Sequence, residues 1–277
     1  MNSTSPPPVQ SVKRALDVLF LFDDHESVLT PARAATRLGL NRTTAWRYLQ
    51  TLASSGLVRE AGETGRFALG GRTVALADAY TRQWGEFGTV GGIALVGLRD
   101  RTGETAALHI RQGWTRVVLR QVESRHELHR TYRDIGQPIS LLLGSPSLAI
   151  LSHLDPGERT AYLQARTDLD ARARAAVESQ LAEIRTLGYA TSESHRAANL
   201  ASIAAPVRDP AGAVLGALNI TGPDHRFTPE ARREWVPEVI ASARWVEHAL
   251  REHPAEADPA STDGADSAPT APTSQTD

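Results

Sequence analysis

The sequence predicts an α+β protein in which an N-terminal winged helix-turn-helix leads through a linking helix into a larger mixed domain. Three observations carry this. Thr30 to Val58 reads as two short helices around a glycine turn, and Arg59 to Leu69 reads as a hairpin with a Gly62-Glu63-Thr64-Gly65 tip. From Glu104 onward the apolar period changes to two, with helical stretches interposed.

Taken in order, residues 1–10 contain three consecutive prolines and too little apolar surface to fold, so they are expected to be disordered. Ser11 to Phe22 follows as a helix whose Val12, Ala15, Leu16, Leu19 and Phe20 recur at helical spacing, which predicts a stripe packed under the helix-turn-helix. Lys13 and Arg14 lie off that stripe, where they either reach DNA phosphate or are ordinary surface charge. Thr30-Pro31 supplies a cap and a first-turn proline, Gly39 the left-handed residue that ends this helix, and Asn41 the cap of the next.

Projected at roughly 100° per residue, the second helix divides into a core arc and an outward arc. Ala45, Tyr48, Leu49, Leu52 and Ala53 form the first; Arg42, Thr43, Trp46, Arg47 and Gln50 form the second. The outward groups can bond phosphates and base edges or pack on a thymine methyl. A helix pair of this kind is also a common packing unit, but the hairpin after it has the place of a wing, with Arg66 near the DNA backbone. The candidate DNA-binding residues are therefore Lys13, Arg14, Asn41, Arg42, Thr43, Thr44, Trp46, Arg47 and Arg66.

The predicted divisions are a winged helix-turn-helix over 11–71, a linking and dimerising helix over 72–87, a mixed domain over 88–252 and a disordered acidic tail over 253–277. The linking helix carries a narrow seam of Val74, Ala77, Tyr80 or Thr81, and Trp84. A helix to Thr102 then turns Val90, Ile93, Ala94 and Leu98 inward. Strands are expected at Thr105 to Arg111, Thr115 to Val122, Glu127 to Arg133, Ser202 to Val207 and Val214 to Thr221. Helices are expected at Pro146 to His153, about Asp168 to Leu187, and from Thr228 toward Leu250 with a kink at Pro237.

Composition narrows the function. The chain has 277 residues, of which 41% are hydrophobic, enough for two cores. Residues 1–72 hold nine Lys/Arg against six Asp/Glu, a modestly basic balance that suits a DNA-binding head relying on a few placed contacts. There is no cysteine, which excludes disulfides and thiolate metal sites. No apolar run spans a membrane and no signal pattern opens the chain, so a cytoplasmic protein is expected. No nucleophile elbow, H-E-x-x-H or phosphate loop is present, and Gly91-Gly92 falls within a helix. We expect no catalytic residues, no metal and no cofactor.

With these pieces in place the chain resembles transcriptional regulators of the isocitrate lyase regulator (IclR) family over about residues 11 to 250. The resemblance rests on SVKRALDVL at Ser11, LGLNRTTAWRYLQTLASSGLV, FALG, GETAALHI at Gly103, GYA at Gly188, IAAPV at Ile203 and LNITGP at Leu218, in that order and spacing. It implies a GAF-like effector-binding domain after the linking helix. It also implies homodimers or homotetramers on palindromic double-stranded operator DNA and a response to a small organic molecule, often a carboxylate or aromatic. Where many members carry Gly-Lys this chain has Ser147-Leu148, and His195 and Asn199 replace a Glu and a Gly.

Carried over position by position, the resemblance gives the effector-binding candidates Gly144, Ser145, Ser192, Ser202, Asn219 and Thr221. Ser145 before Pro146 reads as a cap, which would leave the Ser147 and Leu148 amides outward at a helix N-terminus suited to a carboxylate. Ser145 either only caps its helix or also meets a ligand, and Ser202 is either a small core residue or a pocket residue. Asn219 and Thr221 share one strand face, as a surface pair or as pocket wall; Asn in a strand needs a reason to be there. The functional expectation is a ligand-responsive repressor, with a constitutive or architectural DNA binder as the alternative.

Overall fold

The computed structural model describes residues 9–23, 26–132, 135–193 and 198–252. The residues expected to be disordered at 1–8 and 253–277, and His195, lie outside these. The chain divides into two compact units between Gln83 and Trp84.

In the first unit, α1 (Gln10–Leu19), α2 (Pro31–Leu38) and α3 (Arg42–Ser54) precede β1 (Val58–Glu60), β2 (Phe67–Leu69) and α4 (Arg72–Arg82). Local chemistry sets the boundaries of the helix pair. Thr30 Oγ1 accepts from the Arg33 amide at 3.3 Å, Gly39 sits at φ 62° after α2, and Asn41 Oδ1 accepts from the Thr44 amide at 2.7 Å. β1 and β2 pair antiparallel, and Phe67 in β2 exchanges both backbone hydrogen bonds with Leu29. Val18, Leu29, Ala34, Leu49, Val58 and Phe67 fill the core.

Three expectations need correction in this unit. The α1 stripe is not buried: Val12, Leu16 and Phe20 are 56%, 41% and 74% exposed. Only the end of the helix reaches the core, through Val18, the partly buried Leu19 of the expected stripe and then Leu21, so the periodicity identifies an apolar face without saying how much of it is covered. Gln10, assigned to the lead-in, opens α1. Arg66 lies in the wing loop, one residue before β2, with its amide bonded to Glu63 O.

The second unit runs α5 (Gly85–Thr102), β3 (Thr105–Gln112), β4 (Thr115–Val122), β5 (Ile139–Ser140), α6 (Ser145–Ser152), α7 (Pro156–Ala165), α8 (Ala171–Leu187), β6 (Ala190–Glu193), β7 (Leu200–Arg208), β8 (Val214–Pro223) and α9 (Pro229–Glu252). Its sheet has the order β5-β4-β3-β8-β7-β6 with antiparallel pairing throughout. α5 and α9 cover one face, and α6 to α8 build a core over the other. Ala217 belongs to that second core, so Asn219 and Thr221 share its face, together with their cross-strand partners Ala107, Thr105, Ala204 and Ser202.

The expected strand at Glu127 to Arg133 is absent among its described residues, and the strand beside β4 is Ile139–Ser140 instead. A side chain has taken over the ladder's work. The Gln121 amide accepts from Tyr132 N at 2.7 Å and donates to Tyr132 O at 3.2 Å, which satisfies that backbone without pairing. Ile93 is 60% exposed, and Leu95 takes its inward place on α5. α7, capped by Asp155, and β6 were not anticipated. α9 continues through Pro237 as one helix.

Candidate DNA-binding and ligand-binding sites

On the first unit, the outward arc of α3 is present as a surface. Arg42, Thr43 and Arg47 are exposed, and among the described residues the guanidiniums of Arg42, Arg47 and Arg66 have no hydrogen-bond or ion-pair partner. Exposed donors held on a rigid helix are what phosphate and base-edge contact requires. Other candidates have internal duties. Asn41 spends its side-chain oxygen on the cap and Thr44 is half-buried. Lys13 Nζ lies 3.1 Å from Asp17, a surface pair of little strength that leaves its charge usable. Arg14 is exposed.

Trp46, which looked out of place on a polar face, packs edge-on against Phe67 with centroids 5.6 Å apart. A Cβ on Gly65 would lie 3.7 Å from its ring, so this indole ties the wing to α3. Gln50 does likewise by donating to Glu60 at 3.1 Å.

On the second unit, the polar residues of the α6 face converge. Ser145 Oγ is 2.5 Å from Ser202 Oγ, which is 3.0 Å from Ser192 Oγ, and Ser192 Oγ accepts from the Ser145 amide at 3.0 Å. Ser145 is therefore not the cap. Gly144 holds that position at φ 87°, Ser145 is the first helical residue, and the Leu148 amide is spent on Gly144 O. Thr221 Oγ1 donates to Ala201 O at 3.1 Å.

Beside this triad lies a chain of buried polar side chains that sequence reasoning missed. Arg116, fully buried, donates through Nε to Ser147 Oγ at 2.7 Å, through Nη2 to Leu143 O at 3.2 Å and through Nη1 to His109 Nδ1 at 2.7 Å. A guanidinium can only donate, so Nδ1 accepts and the ring hydrogen sits on Nε2. Nε2 then donates to Asn219 Oδ1 at 2.8 Å, and Asn219 Nδ2 donates to the Tyr132 hydroxyl at 2.9 Å. That is the reason for Asn in the strand.

These groups border a cavity of about 30 Å³ lined by Gly144, Ser192, Ser202 and Thr221 among the candidates, and by Arg116, Arg130 and Tyr132 beyond them. Ser145 and Asn219 stand behind the lining, each bonded to a lining residue. Arg130 packs its guanidinium 5.5 Å from the Tyr132 ring centroid and has no hydrogen-bonding partner among the described residues. The missed residues carry a signal available in the sequence: His109 and Arg116 are polar in strands that otherwise read as core. Among the described residues no three His, Asp or Glu side chains converge as metal ligands, and no helix is long and apolar enough to cross a membrane.

Comparison with known proteins follows the same two units. Residues 11–62 match the IclR helix-turn-helix domain, and residues 89–248 match the bacterial transcriptional regulator IclR C-terminal domain. The HTH-type transcriptional regulator BhcR of Paracoccus denitrificans is 30% identical over 241 residues, 85% of each chain. The transcriptional repressor IclR of Escherichia coli is 27% identical over 246 residues, 86% of this chain and 89% of that one. Among solved structures, a regulator from Rhodococcus sp. RHA1 superimposes with TM-score 0.72 at 26% identity, covering 88% of this chain and 99% of the other. An IclR homologue from Microbacterium hydrocarbonoxydans, complexed with 4-hydroxybenzoate, shares the fold with TM-score 0.68 at 22% identity, over 87% and 99% of the two chains. Matched in both units, the chain belongs to the IclR family of bacterial transcriptional regulators, a family of regulators and not of enzymes.

Proposed function

We propose that the protein is a repressor that binds a palindromic operator as a homodimer or homotetramer and responds to a small organic carboxylate. The winged helix-turn-helix over 11–71 reads DNA, the segment over 72–87, made of α4 and the first residues of α5, links and dimerises, and the domain over 88–252 holds the effector. The guanidinium of Arg130 at the serine-lined cavity carries the ligand assignment, since a half-buried cation with a ring contact but no hydrogen-bond or ion-pair partner among the described residues gains most from an anion. The serine hydroxyls of the cavity supply orienting hydrogen bonds. A second copy of the chain suits the exposed α1 stripe and the exposed Val74 and Leu76 of α4. The relatives named repressors support repression as the direction of regulation, and the 4-hydroxybenzoate held by the Microbacterium homologue suggests the first aromatic acid to try.

Two measurements test this reading. In a gel-shift titration at fixed salt against duplexes selected from a random pool, Arg42→Ala or Arg47→Ala should weaken specific binding by roughly ten- to a hundredfold, about 1–3 kcal/mol each. Unchanged affinity would sink the assignment of α3 as the reading helix. In a thermal-shift panel of small aliphatic and aromatic carboxylates, a hit should raise Tm and change DNA affinity, and Arg130→Ala should abolish the shift. A panel that neither stabilises the protein nor alters DNA binding would favour a constitutive DNA binder.

A further inference from the structure

The effector unit has a second concavity with a different chemistry. A cavity of about 210 Å³ opens where the C-terminal turns of α6 and α8 meet the end of β7 and the middle of α9. Its lining includes Arg185, Arg208, Arg244, His153 and a single carboxylate, Glu247. Glu247 is buried and fully engaged by Arg208, accepting from its backbone amide at 3.0 Å, Nε at 2.8 Å and Nη2 at 3.2 Å. Arg185 and Arg244 have no hydrogen-bond or ion-pair partner among the described residues. With Arg208 neutralised by Glu247, two positive charges line the space uncompensated.

The helix dipole accounts for only part of this. Arg185 occupies the last turn of α8, where a cation offsets the C-terminal partial charge. Arg244 lies two turns inside α9 and has no such reason. Burial, and then the Arg185 charge, holds the nearby Arg159 guanidinium below its ordinary pKa, with Glu178 and Asp155 opposing.

We infer that this cavity binds a phosphate dianion, free or as the monoester group of a small metabolite, between Arg185 and Arg244 above the Arg208–Glu247 pair. The volume and the net charge suit a tetrahedral oxyanion carrying two charges, and the guanidiniums offer the paired donors such an anion accepts. His153 couples the site to pH. Its Nδ1 lies 2.9 Å from Ser152 Oγ and 3.1 Å from the Ala149 carbonyl, and since the Ser152 hydroxyl donates to that carbonyl at 2.9 Å, Nδ1 donates and Nε2 carries the lone pair. Burial depresses its pKa, the Ala149 carbonyl opposes that, Arg208 and Arg185 depress it further, and Glu247 opposes. Arg244 faces the same space. A bound dianion offsets the guanidinium field, so Nε2 takes a proton from solvent and the complex binds more protons than the empty site. Affinity therefore rises as pH falls from the neutral range toward the depressed value of the empty site.

Calorimetric titration of the full-length protein with inorganic phosphate and with sulfate, at constant ionic strength, tests this. Arg185→Ala and Arg244→Ala should each weaken phosphate binding about tenfold or more, whereas Arg130→Ala at the other cavity should leave it unchanged. Sulfate keeps its charge across neutral pH, so it should bind about threefold or more tighter at pH 6 than at pH 8, and His153→Gln should flatten that dependence. Phosphate affinity that survives the Arg185→Ala/Arg244→Ala double substitution, or no binding of either anion, would overturn the site. A flat sulfate profile in the unaltered protein would remove His153 from it.

Discussion

Arg116→Leu should cost the effector unit about 2–5 kcal/mol, because it removes the donor that starts a buried relay. Arg116 is fully buried, and its donors serve Ser147 Oγ, the Leu143 carbonyl and His109 Nδ1. Without the guanidinium, Ser147 Oγ and His109 Nδ1 stay buried while the Leu143 carbonyl, only partly buried, can meet water, and each buried acceptor left unmet costs about 1–3 kcal/mol. Leucine also frees His109 to take its other tautomer, after which Nε2 no longer donates to Asn219 and the Asn219–Tyr132 bond loses its orientation. Arg116→Lys should recover only part of the loss, since one ammonium cannot span three acceptors held by a planar fork. Differential scanning calorimetry of the three proteins reads the effect, and the carboxylate-induced Tm shift should be lost along with the stability. A loss under about 1 kcal/mol for Arg116→Leu would show that the relay is not what holds this face together.

The parts of this protein that were legible in its sequence are those decided by neighbours along the chain. Thr30, Gly39 and Asn41 act on amides three residues away or on their own backbone angle, so the helix-turn-helix could be read with its caps in place. The stripe of α1 was legible as apolar but not as exposed, because what lies opposite it is not encoded locally. The strand expected at Glu127 to Arg133 failed for a related reason. The backbone of Tyr132 is satisfied by the side chain of Gln121, eleven residues away, and no periodicity announces that.

The serine-lined cavity shows the same division. Gly144, Ser192, Ser202 and Thr221 came from the family resemblance and line the cavity. Arg130 and Tyr132 lie on the irregular segment misread as a strand. His109 and Arg116 required knowing that β3 lies between β4 and β8. The argument applied to Asn219, that a poor strand former needs a reason, applies equally to a histidine and an arginine in core-facing strand positions. Pursued there, it points to one network, in which Arg116 bonds His109 and His109 bonds Asn219.

Gly216→Ala should destabilise the effector unit by about 3 kcal/mol or more, well beyond the usual cost of a glycine substitution. The reason is contact and not backbone angle. Gly216 lies in β8 between Ile110 of β3 and Val207 of β7, at the centre of the sheet. A Cβ there would overlap the His109 carbonyl oxygen and stand 3.0 Å from its carbon and 3.2 Å from Ile110 Cα. These are backbone atoms and cannot rotate aside, so β3 and β8 would have to part. Their pairing sets His109 opposite Ala217 and Ala107 opposite Asn219, so separation also pulls apart the His109–Asn219 bond behind the cavity. Gly212→Ala provides the comparison. Gly212 has φ 92° in the turn between β7 and β8 with open space around it, so alanine there meets only the conformational cost of about 1–2 kcal/mol. Chemical denaturation of both variants separates the two causes: Gly216→Ala losing no more stability than Gly212→Ala would mean that the two strands do not approach as closely as described, whereas a larger loss with an abolished ligand response would tie this backbone contact to the geometry of the cavity.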